Sequence, residues 1–204
     1  MKILIINSGM RSGTTLLQEQ LCGNRLASLF SIVNMGEGIS LTDENSYNAS
    51  VDKLVNSDNW CCKLFFLEGM DDWYAPEKIV YTLNPTLLIN SYREDTFDQF
   101  LSLQVSHYND KWNSTEKLEY KNFTSTNVKN DIITFKSNLK IYNDTLNRLK
   151  KDFDVKHIAY EDLISDTNKS TFAKSFVKQN TKEEKMKLIN NIDEVIEHWK
   201  DLKL

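Results

Sequence analysis

Short apolar segments separated by amphipathic stretches constrain the fold of this chain more than any other feature of its sequence. They lie at residues 2–7, 29–33, 60–67, 86–92 and 155–160. The segments at 2–7, 60–67 and 86–92 are nearly continuous apolar runs, which are typical of strands buried on both faces of a parallel sheet. The sequence therefore predicts an α/β fold with three layers, in which helices cover both faces of a central parallel sheet.

Helices are predicted between and after these strands, because apolar positions recur there every three or four residues. They begin near residues 14, 95, 132 and 181. The last one opens with a capping-box pattern, Thr181 followed by Glu184, and carries an apolar stripe from Met186 to Trp199. Residues 40–59 are polar and predict a loop or a short helix.

Length and composition fit a single domain that spans residues 1–204. Apolar residues make up 40% of the 204 positions, which is enough for a packed core. No apolar run approaches the length of a bilayer span, and the formal net charge of -4 gives no general attraction to nucleic acid. The first residues have the pattern of a strand and lack that of a secretory leader, so we expect a cytoplasmic protein.

The three cysteines, Cys22, Cys61 and Cys62, do not have the spacing of metal ligands. Their odd number favours reduced thiols over a disulfide framework. Cys61 and Cys62 are neighbours within an apolar run, and we expect both to be small buried side chains. The sequence thus predicts no metal site.

The segment that joins the first strand to the first helix has the composition of an anion-binding turn. Gly9 and Gly13 allow the backbone to approach a ligand closely, and the N–H groups of such a turn converge on an anion at the positive end of the helix dipole. The turn differs from the Gly-x4-Gly-Lys-Ser/Thr loop of ATP- and GTP-hydrolysing proteins. Three residues separate its glycines, and Thr14 stands where that loop has lysine. These differences argue against a Mg²⁺-dependent NTPase.

Residues 3–17, ILIINSGMRSGTTLL, resemble the 5′-phosphosulfate-binding loop of the sulfotransferase family. They are similar in particular to the Arg-Ser-Gly-Ser/Thr-Thr-Leu form of its bacterial and carbohydrate-directed members. The resemblance implies a P-loop NTPase-like version of the predicted fold. It also implies that the 5′-phosphosulfate of 3′-phosphoadenosine 5′-phosphosulfate is bound by Arg11, Ser12, Gly13, Thr14 and Thr15. The alternative is a glycine turn with an exposed arginine.

A second segment, residues 88–103 with the sequence LINSYREDTFDQFLSL, resembles the part of the family that holds the 3′-phosphate of the cofactor. The resemblance implies that Arg93, at the end of a strand, and Ser102, on the following helix, are the ligands. The chain has only four arginines, and the planar fork of an arginine suits a phosphate dianion. The alternative is an ion pair between Arg93 and Glu94 or Asp95.

Sulfuryl transfer to a hydroxyl needs a base that takes the proton of the acceptor. Bacterial and polysaccharide-modifying relatives use a glutamate, in some of them after the first helix and second strand, which implies Glu37. Glu68 and His107 are the alternatives. Lys63 is predicted either to stabilise charge on the bridging oxygen or to extend into solvent from the end of its strand.

A third segment, IAYEDL at residues 158–163, resembles the Tyr-Glu-Asp-Leu sequence that follows a late strand in the same family. The resemblance implies a sulfotransferase that uses 3′-phosphoadenosine 5′-phosphosulfate, releases adenosine 3′,5′-bisphosphate and needs no metal. The acceptor is expected to be a hydroxyl or amine of a saccharide, a lipid or a small molecule. Neither nucleic acid nor a membrane span is expected. The alternatives are a catalytically inactive nucleotide-binding module of the same fold and a small P-loop kinase.

Overall fold

A computed structural model describes residues 1–8, 14–22, 33–35, 44–66, 76–110, 119–166 and 181–202. Strands and helices alternate along most of these ranges. The strands are β1 (Lys2–Asn7), β2 (Val33–Met35), β3 (Trp60–Phe65), β4 (Leu87–Tyr92) and β5 (Val155–Ala159). The helices are α1 (Thr14–Cys22), α2 (Glu44–Val55), α3 (Pro76–Leu83), α4 (Thr96–Asn109), α5 (Val128–Leu149), α6 (Tyr160–Asp166), α7 (Lys182–Leu188) and α8 (Ile192–Asp201).

All neighbouring strands of the sheet run parallel, in the order β2-β3-β1-β4-β5. β1 is central, with Ile5 beside Lys63 of β3 and Ile6 beside Asn90 of β4. The five strands therefore end at one edge of the sheet, here called the carboxyl edge, at Met35, Phe65, Asn7, Tyr92 and Ala159. The predicted α/β class with a parallel sheet is confirmed.

Helices pack on both faces of this sheet, because the side chains of each strand alternate between the faces. Ile3 and Ile5 of β1 lie in a buried cluster with side chains of α1 and α6. Leu4 and Ile6 lie in a larger cluster on the opposite face, which includes the fully buried Trp60 and side chains of α2, α3 and α5. Helices on both faces are consistent with the three predicted layers.

A third apolar cluster joins the C-terminal helices to α4 and α5. The ring centroid of Trp199, on α8, lies 5.0 Å from that of Phe97 and 5.3 Å from that of Phe100, both on α4. Phe135 of α5 completes the group at 5.9 Å from Trp199. Aromatic pairs at these separations are favourable beyond the area that they bury. This packing holds the C-terminal helices beside the first turns of α4.

Two elements before β3 differ from their predictions. The second strand is predicted at residues 29–33, whereas the structure has it at Val33–Met35; residues 23–32 lie outside the described part of the chain. The stretch predicted as a loop or a short helix contains the 12-residue helix α2. Tyr47 and Leu54 of this helix are buried against the sheet, so two apolar side chains anchor an otherwise polar segment.

The predicted final helix is in fact two helices, interrupted between α7 and α8. Ile189 has an extended backbone and forms a parallel bridge with Phe123. The carbonyl of Phe123 accepts a hydrogen bond from the Asn190 amide at 2.8 Å, and its amide donates one to the Leu188 carbonyl at 2.9 Å. The apolar stripe alone does not reveal the break, because Ile189 is buried in the broken arrangement as well.

The capping box predicted for the last segment is confirmed at the start of α7. The hydroxyl of Thr181 accepts from the Glu184 amide at 3.2 Å, and the Glu184 carboxylate accepts from the Thr181 amide at 2.7 Å. We expect Thr181→Ala to lower the free energy of unfolding by about 1 kcal/mol, because an N-terminal amide of the helix loses its acceptor. Urea denaturation measures this change. Thr181→Ser keeps the hydroxyl and is the control; equal losses in both variants would contradict the role of the cap.

The two neighbouring cysteines differ in their chemistry. Cys61 and Cys62 are both fully buried, as predicted. Cys62 is not disulfide-bonded, and its thiol donates to the Lys63 carbonyl at 3.3 Å, whereas Cys61 is disulfide-bonded, so the prediction of reduced thiols is wrong for Cys61. Successive residues of a strand point to opposite faces. Cys61 accordingly belongs to the cluster beneath α1 and Cys62 to the cluster on the other face, a distinction that their adjacency in the sequence hides.

Candidate anion-binding site

Several residues of the predicted site lie outside the described part of the chain. They are Arg11, Ser12, Gly13, Glu37 and Glu68. Thr14 is the first residue of α1 and is buried, and the backbone of Thr15 continues the same helix. The structure thus places the start of α1 but leaves the preceding turn and the proposed base as predictions.

Three adjacent strands change from apolar to polar side chains as they approach the carboxyl edge. By the alternation of each strand, Asn7, Lys63 and Ser91 project from the face that α1 covers, and all three are buried. Gln18 of α1 is buried beside them and donates to the carbonyl of Cys61 at 3.4 Å. Open parallel sheets bind ligands at this edge. The grouping defines the candidate site.

Lys63 is not a strand-end lysine that reaches solvent. It lies inside β3, beside Ile5 of β1, and only 5% of it is exposed. The predicted alternative in which this side chain extends into solvent is therefore wrong. Burial of an ammonium group is expensive, so proteins retain it where it faces negative charge or strong acceptors. A positive charge near the ends of β1 and β3 suits an anionic ligand.

Arg93 is the first residue after β4 and is 7% exposed. Its Nη1 atom lies 2.7 Å from Oδ2 of Asp98, and its Cζ atom lies 4.0 Å from the ring centroid of Tyr160, a cation–π distance. The predicted alternative named the wrong carboxylates for the ion pair, because Asp98 of α4 is the partner. Asp95 pairs with Lys182 instead, at 2.6 Å.

Within the described ranges, one donor of the Arg93 guanidinium has no acceptor. Its Nε atom is buried and makes no hydrogen bond with any residue in the described ranges. Leaving a buried donor unsatisfied costs about 1–3 kcal/mol, and more for a charged group. Such groups in native proteins often mark the place of a ligand, ion or water. The residues around Arg93 therefore fit an anion.

The first turn of α4 is tied to α7 by two ion pairs that sequence reasoning missed. Asp95 caps α4 by accepting from the Asp98 amide at 2.9 Å, and it also accepts from Lys182. Asp98 accepts from Lys185 Nζ at 2.6 Å. Burial alone would raise the pKa of Asp95, but the hydrogen bonds from Lys182 and from the Asp98 amide outweigh it, and the pKa lies below its usual value. The helix pattern gives the cap, but no local signal links α4 to lysines 87 residues away.

Ser102 lies two turns into α4, on a helix face that is polar but buried. Gln99, Ser102 and Ser106 share this face, as predicted, and all three are buried. The hydroxyl of Ser106 has no hydrogen-bond partner among the described residues. Asp98, the partner of Arg93, precedes Ser102 by one turn, which is about 6 Å along the helix. The joint action of Arg93 and Ser102 on one phosphate remains a prediction.

His107 occupies the far end of α4. It is exposed in the last turn of the helix, and its ring centroid lies 5.4 Å from that of Tyr108. The rise of a helix puts it about 16 Å along the axis from Thr96, which is near Arg93 in the sequence. That separation makes His107 a poor partner for chemistry at the start of α4.

A second polar group near the carboxyl edge lies on the opposite face of the sheet. The hydroxyl of Tyr142 donates to Oδ1 of Asn90, and Nδ2 of Asn90 donates to Nδ1 of His157 at 2.9 Å. Burial raises the pKa of Tyr142, so its hydroxyl keeps its proton. Partial burial and the charge of Lys150 lower the pKa of His157, which keeps Nδ1 available as an acceptor. This group fixes β4 to β5 and α5.

We expect the fold to lose stability as the pH falls below about 6.5, the ordinary pKa of histidine, in part through His157. The pKa of His157 is lowered in the folded state, so the unfolded chain binds more protons in this range and gains free energy. Urea denaturation at about pH 7.5 and about pH 5.5 measures the loss. His157→Gln should reduce it, whereas the control Lys156→Gln, at the neighbouring exposed position of β5, should not. An unchanged loss in His157→Gln would contradict this role.

No protein-family model, curated protein or solved structure matches this chain. Within the described ranges, no helix is long and apolar enough to cross a membrane. In the same ranges, no three His, Cys, Asp or Glu side chains are grouped as metal ligands.

Proposed function

We propose that this chain is a sulfotransferase that moves a sulfuryl group from 3′-phosphoadenosine 5′-phosphosulfate to a hydroxyl or an amine of a saccharide, a lipid or a small molecule. The observation that carries the proposal is the adjacency of β1 and β4 in a parallel sheet. Residues 9–13, for which the sequence predicts an anion-binding turn, come after β1 in the chain, and Arg93 follows β4. Neighbouring strands lie about 4.8 Å apart, so one nucleotide can span both strand ends.

The arrangement of β1 and α1 supports binding of the 5′-phosphosulfate by the predicted turn between them. β1 is fully buried along its centre, and α1 begins at the buried Thr14 and packs back onto the sheet. This arrangement directs the start of the helix, with its unpaired N–H groups, toward the carboxyl edge. A P-loop NTPase-like fold, in which Arg11 to Thr15 hold the anion, is the finer form of the proposal.

Arg93 supports binding of the 3′-phosphate. Its guanidinium is held in place by Asp98 and by the ring of Tyr160, and its Nε donor has no acceptor within the described part of the chain. A guanidinium that is held in place and has a spare donor is suited to a phosphate oxygen. Ser102 is proposed as the second ligand from α4.

The donor supplies a sulfuryl group. An oxygen or nitrogen of the acceptor attacks its sulfur atom, in line with the phosphate oxygen that departs. Lys63 is proposed to stabilise negative charge on that departing oxygen, because its buried ammonium lies on the strand beside β1. Glu37 is proposed as the base that takes the proton of the acceptor. Glu37 comes two residues after the end of β2, and β2 lies next to β3 in the sheet.

Transfer of radiolabelled sulfate from the donor to a mixture of saccharide and small-molecule acceptors tests the proposal. Labelled product and binding of adenosine 3′,5′-bisphosphate are the expected results. Binding without transfer to any acceptor would favour an inactive nucleotide-binding module. Binding of Mg²⁺-ATP at the same site would favour a small kinase.

The expected cytoplasmic location is retained as part of the proposal. The disulfide at Cys61 argues against it, since disulfides persist mainly in oxidising compartments. Fractionation of the native host cells, followed by detection of the chain in each compartment, distinguishes a cytoplasmic location from an oxidising compartment.

A further inference from the structure

Asp98 divides its carboxylate between two buried cations. Oδ2 lies 2.7 Å from Nη1 of Arg93, and Oδ1 lies 2.6 Å from Nζ of Lys185. The side chains of Arg93 and Lys185 are only 5% and 8% exposed, and that of Asp98 is 19% exposed. These three side chains are here called the shared-carboxylate triad. Within the triad, the single negative charge of Asp98 forms ion pairs with two positive charges.

This sharing affects how Arg93 meets an anion. A carboxylate that paired with Arg93 alone would neutralise its charge and compete with a phosphate for the same guanidinium. Lys185 draws the other oxygen of Asp98, so part of the carboxylate charge is balanced by a second cation. The guanidinium then keeps more of its positive potential for a ligand, while Asp98 still fixes its orientation.

The position of Lys185 does not depend on the triad. The capping box fixes the start of α7, and Lys182 in its first turn bonds to Asp95 on α4. Met186, the residue after Lys185, packs in the apolar cluster that joins α7 and α8 to α4. Helix α7 therefore presents Lys185 to Asp98 through contacts that surround it on both sides.

We propose that Lys185 is a positioning residue that acts through Asp98 to keep the charge of Arg93 available, and thereby makes the site prefer nucleotides that carry a 3′-phosphate. This inference rests on the proposed function, because it takes Arg93 as the 3′-phosphate ligand. It adds a residue from α7, distant in the sequence, that neither touches the nucleotide nor resembles any motif.

Isothermal titration calorimetry with adenosine 3′,5′-bisphosphate and adenosine 5′-monophosphate tests the role of Lys185. We expect Lys185→Met to weaken binding of the bisphosphate about tenfold more than binding of the monophosphate, since Asp98 then neutralises Arg93. Lys187→Met removes the same charge from an exposed position of α7 and is the matched control. It should leave the ratio of the two affinities unchanged.

A double variant separates the effect of charge from that of packing. Asp98→Asn combined with Lys185→Met leaves Arg93 charged and keeps an oxygen acceptor beside it, so the preference for the bisphosphate should return to within about threefold of the wild type. A double variant as unselective as Lys185→Met would show a packing role and overturn the proposal. Thermal melts confirm that each variant is folded.

The two proposals fail in different ways. If the wild type binds neither nucleotide, or binds both equally, the proposed recognition of the 3′-phosphate is wrong, and with it the proposed function. If the wild type prefers the bisphosphate and Lys185→Met keeps that preference, the proposed function stands and the role of Lys185 is overturned.

Discussion

Arg93→Ala is expected to weaken binding of adenosine 3′,5′-bisphosphate about 100-fold, while binding of adenosine 5′-monophosphate changes by less than about threefold. The guanidinium is the proposed ligand of the 3′-phosphate alone, and loss of a charged partner from a buried site typically costs several kcal/mol. Its buried Nε donor, which has no acceptor among the described residues, is the group that the phosphate would satisfy. Isothermal titration calorimetry with both nucleotides measures the two affinities.

The control for Arg93→Ala is Arg148→Ala. Arg148 also forms an ion pair, with two hydrogen bonds of 3.0 and 2.7 Å to the carboxylate of Glu77, but its side chain is 52% exposed and it lies on α5. Removing it should alter neither affinity. Equal losses for the two nucleotides in Arg93→Ala would mean that Arg93 supports the fold rather than the 3′-phosphate.

Glu37→Gln is expected to lower the turnover number about 100- to 1,000-fold, while the affinity for adenosine 3′,5′-bisphosphate stays within about threefold. The amide has the shape of the carboxylate but cannot take a proton from the acceptor. Binding of the nucleotide depends on groups at the ends of β1 and β4 and should be unaffected. Initial rates of labelled sulfate transfer, together with calorimetry, separate the two effects.

Glu44→Gln is the matched control for Glu37→Gln. Glu44 is an exposed carboxylate at the start of α2, on the same connection between β2 and β3. Its amide variant should keep full turnover. Full turnover in Glu37→Gln would exclude Glu37 as the base. The variants Glu68→Gln and His107→Asn would then be compared. Glu68 would be the favoured alternative, because His107 lies far along α4.

The strands could be predicted from the sequence because buried strands need continuous apolar side chains. The run at residues 60–67 became β3 at Trp60–Phe65, and that at 86–92 became β4 at Leu87–Tyr92. The start of α4 can be predicted as well, because Asp95 is a favourable N-cap residue and Phe97 begins an apolar stripe. These features depend on local sequence, which explains their success.

Features that depend on contacts distant in sequence could not be predicted. Ile189 leaves the helical pattern to form a bridge with the backbone of Phe123, and the sequence around Ile189 does not predict this bridge. The pairing of Asp98 with Lys185 requires α7 to lie beside α4. The position of Arg93 can be predicted because it directly follows an apolar strand in a segment that resembles the 3′-phosphate site of the sulfotransferase family, whereas its partners depend on how α4 and α6 pack around it.

In the proposed function, one nucleotide bridges the ends of β1 and β4. A crystal structure of the chain with adenosine 3′,5′-bisphosphate tests it most directly. We predict that the 3′-phosphate lies against the guanidinium of Arg93 and the 5′-phosphate against the backbone between Ser8 and Thr14. A nucleotide that leaves Arg93 paired with Asp98 alone, with its phosphates in a different cavity from the start of α1, would contradict the account.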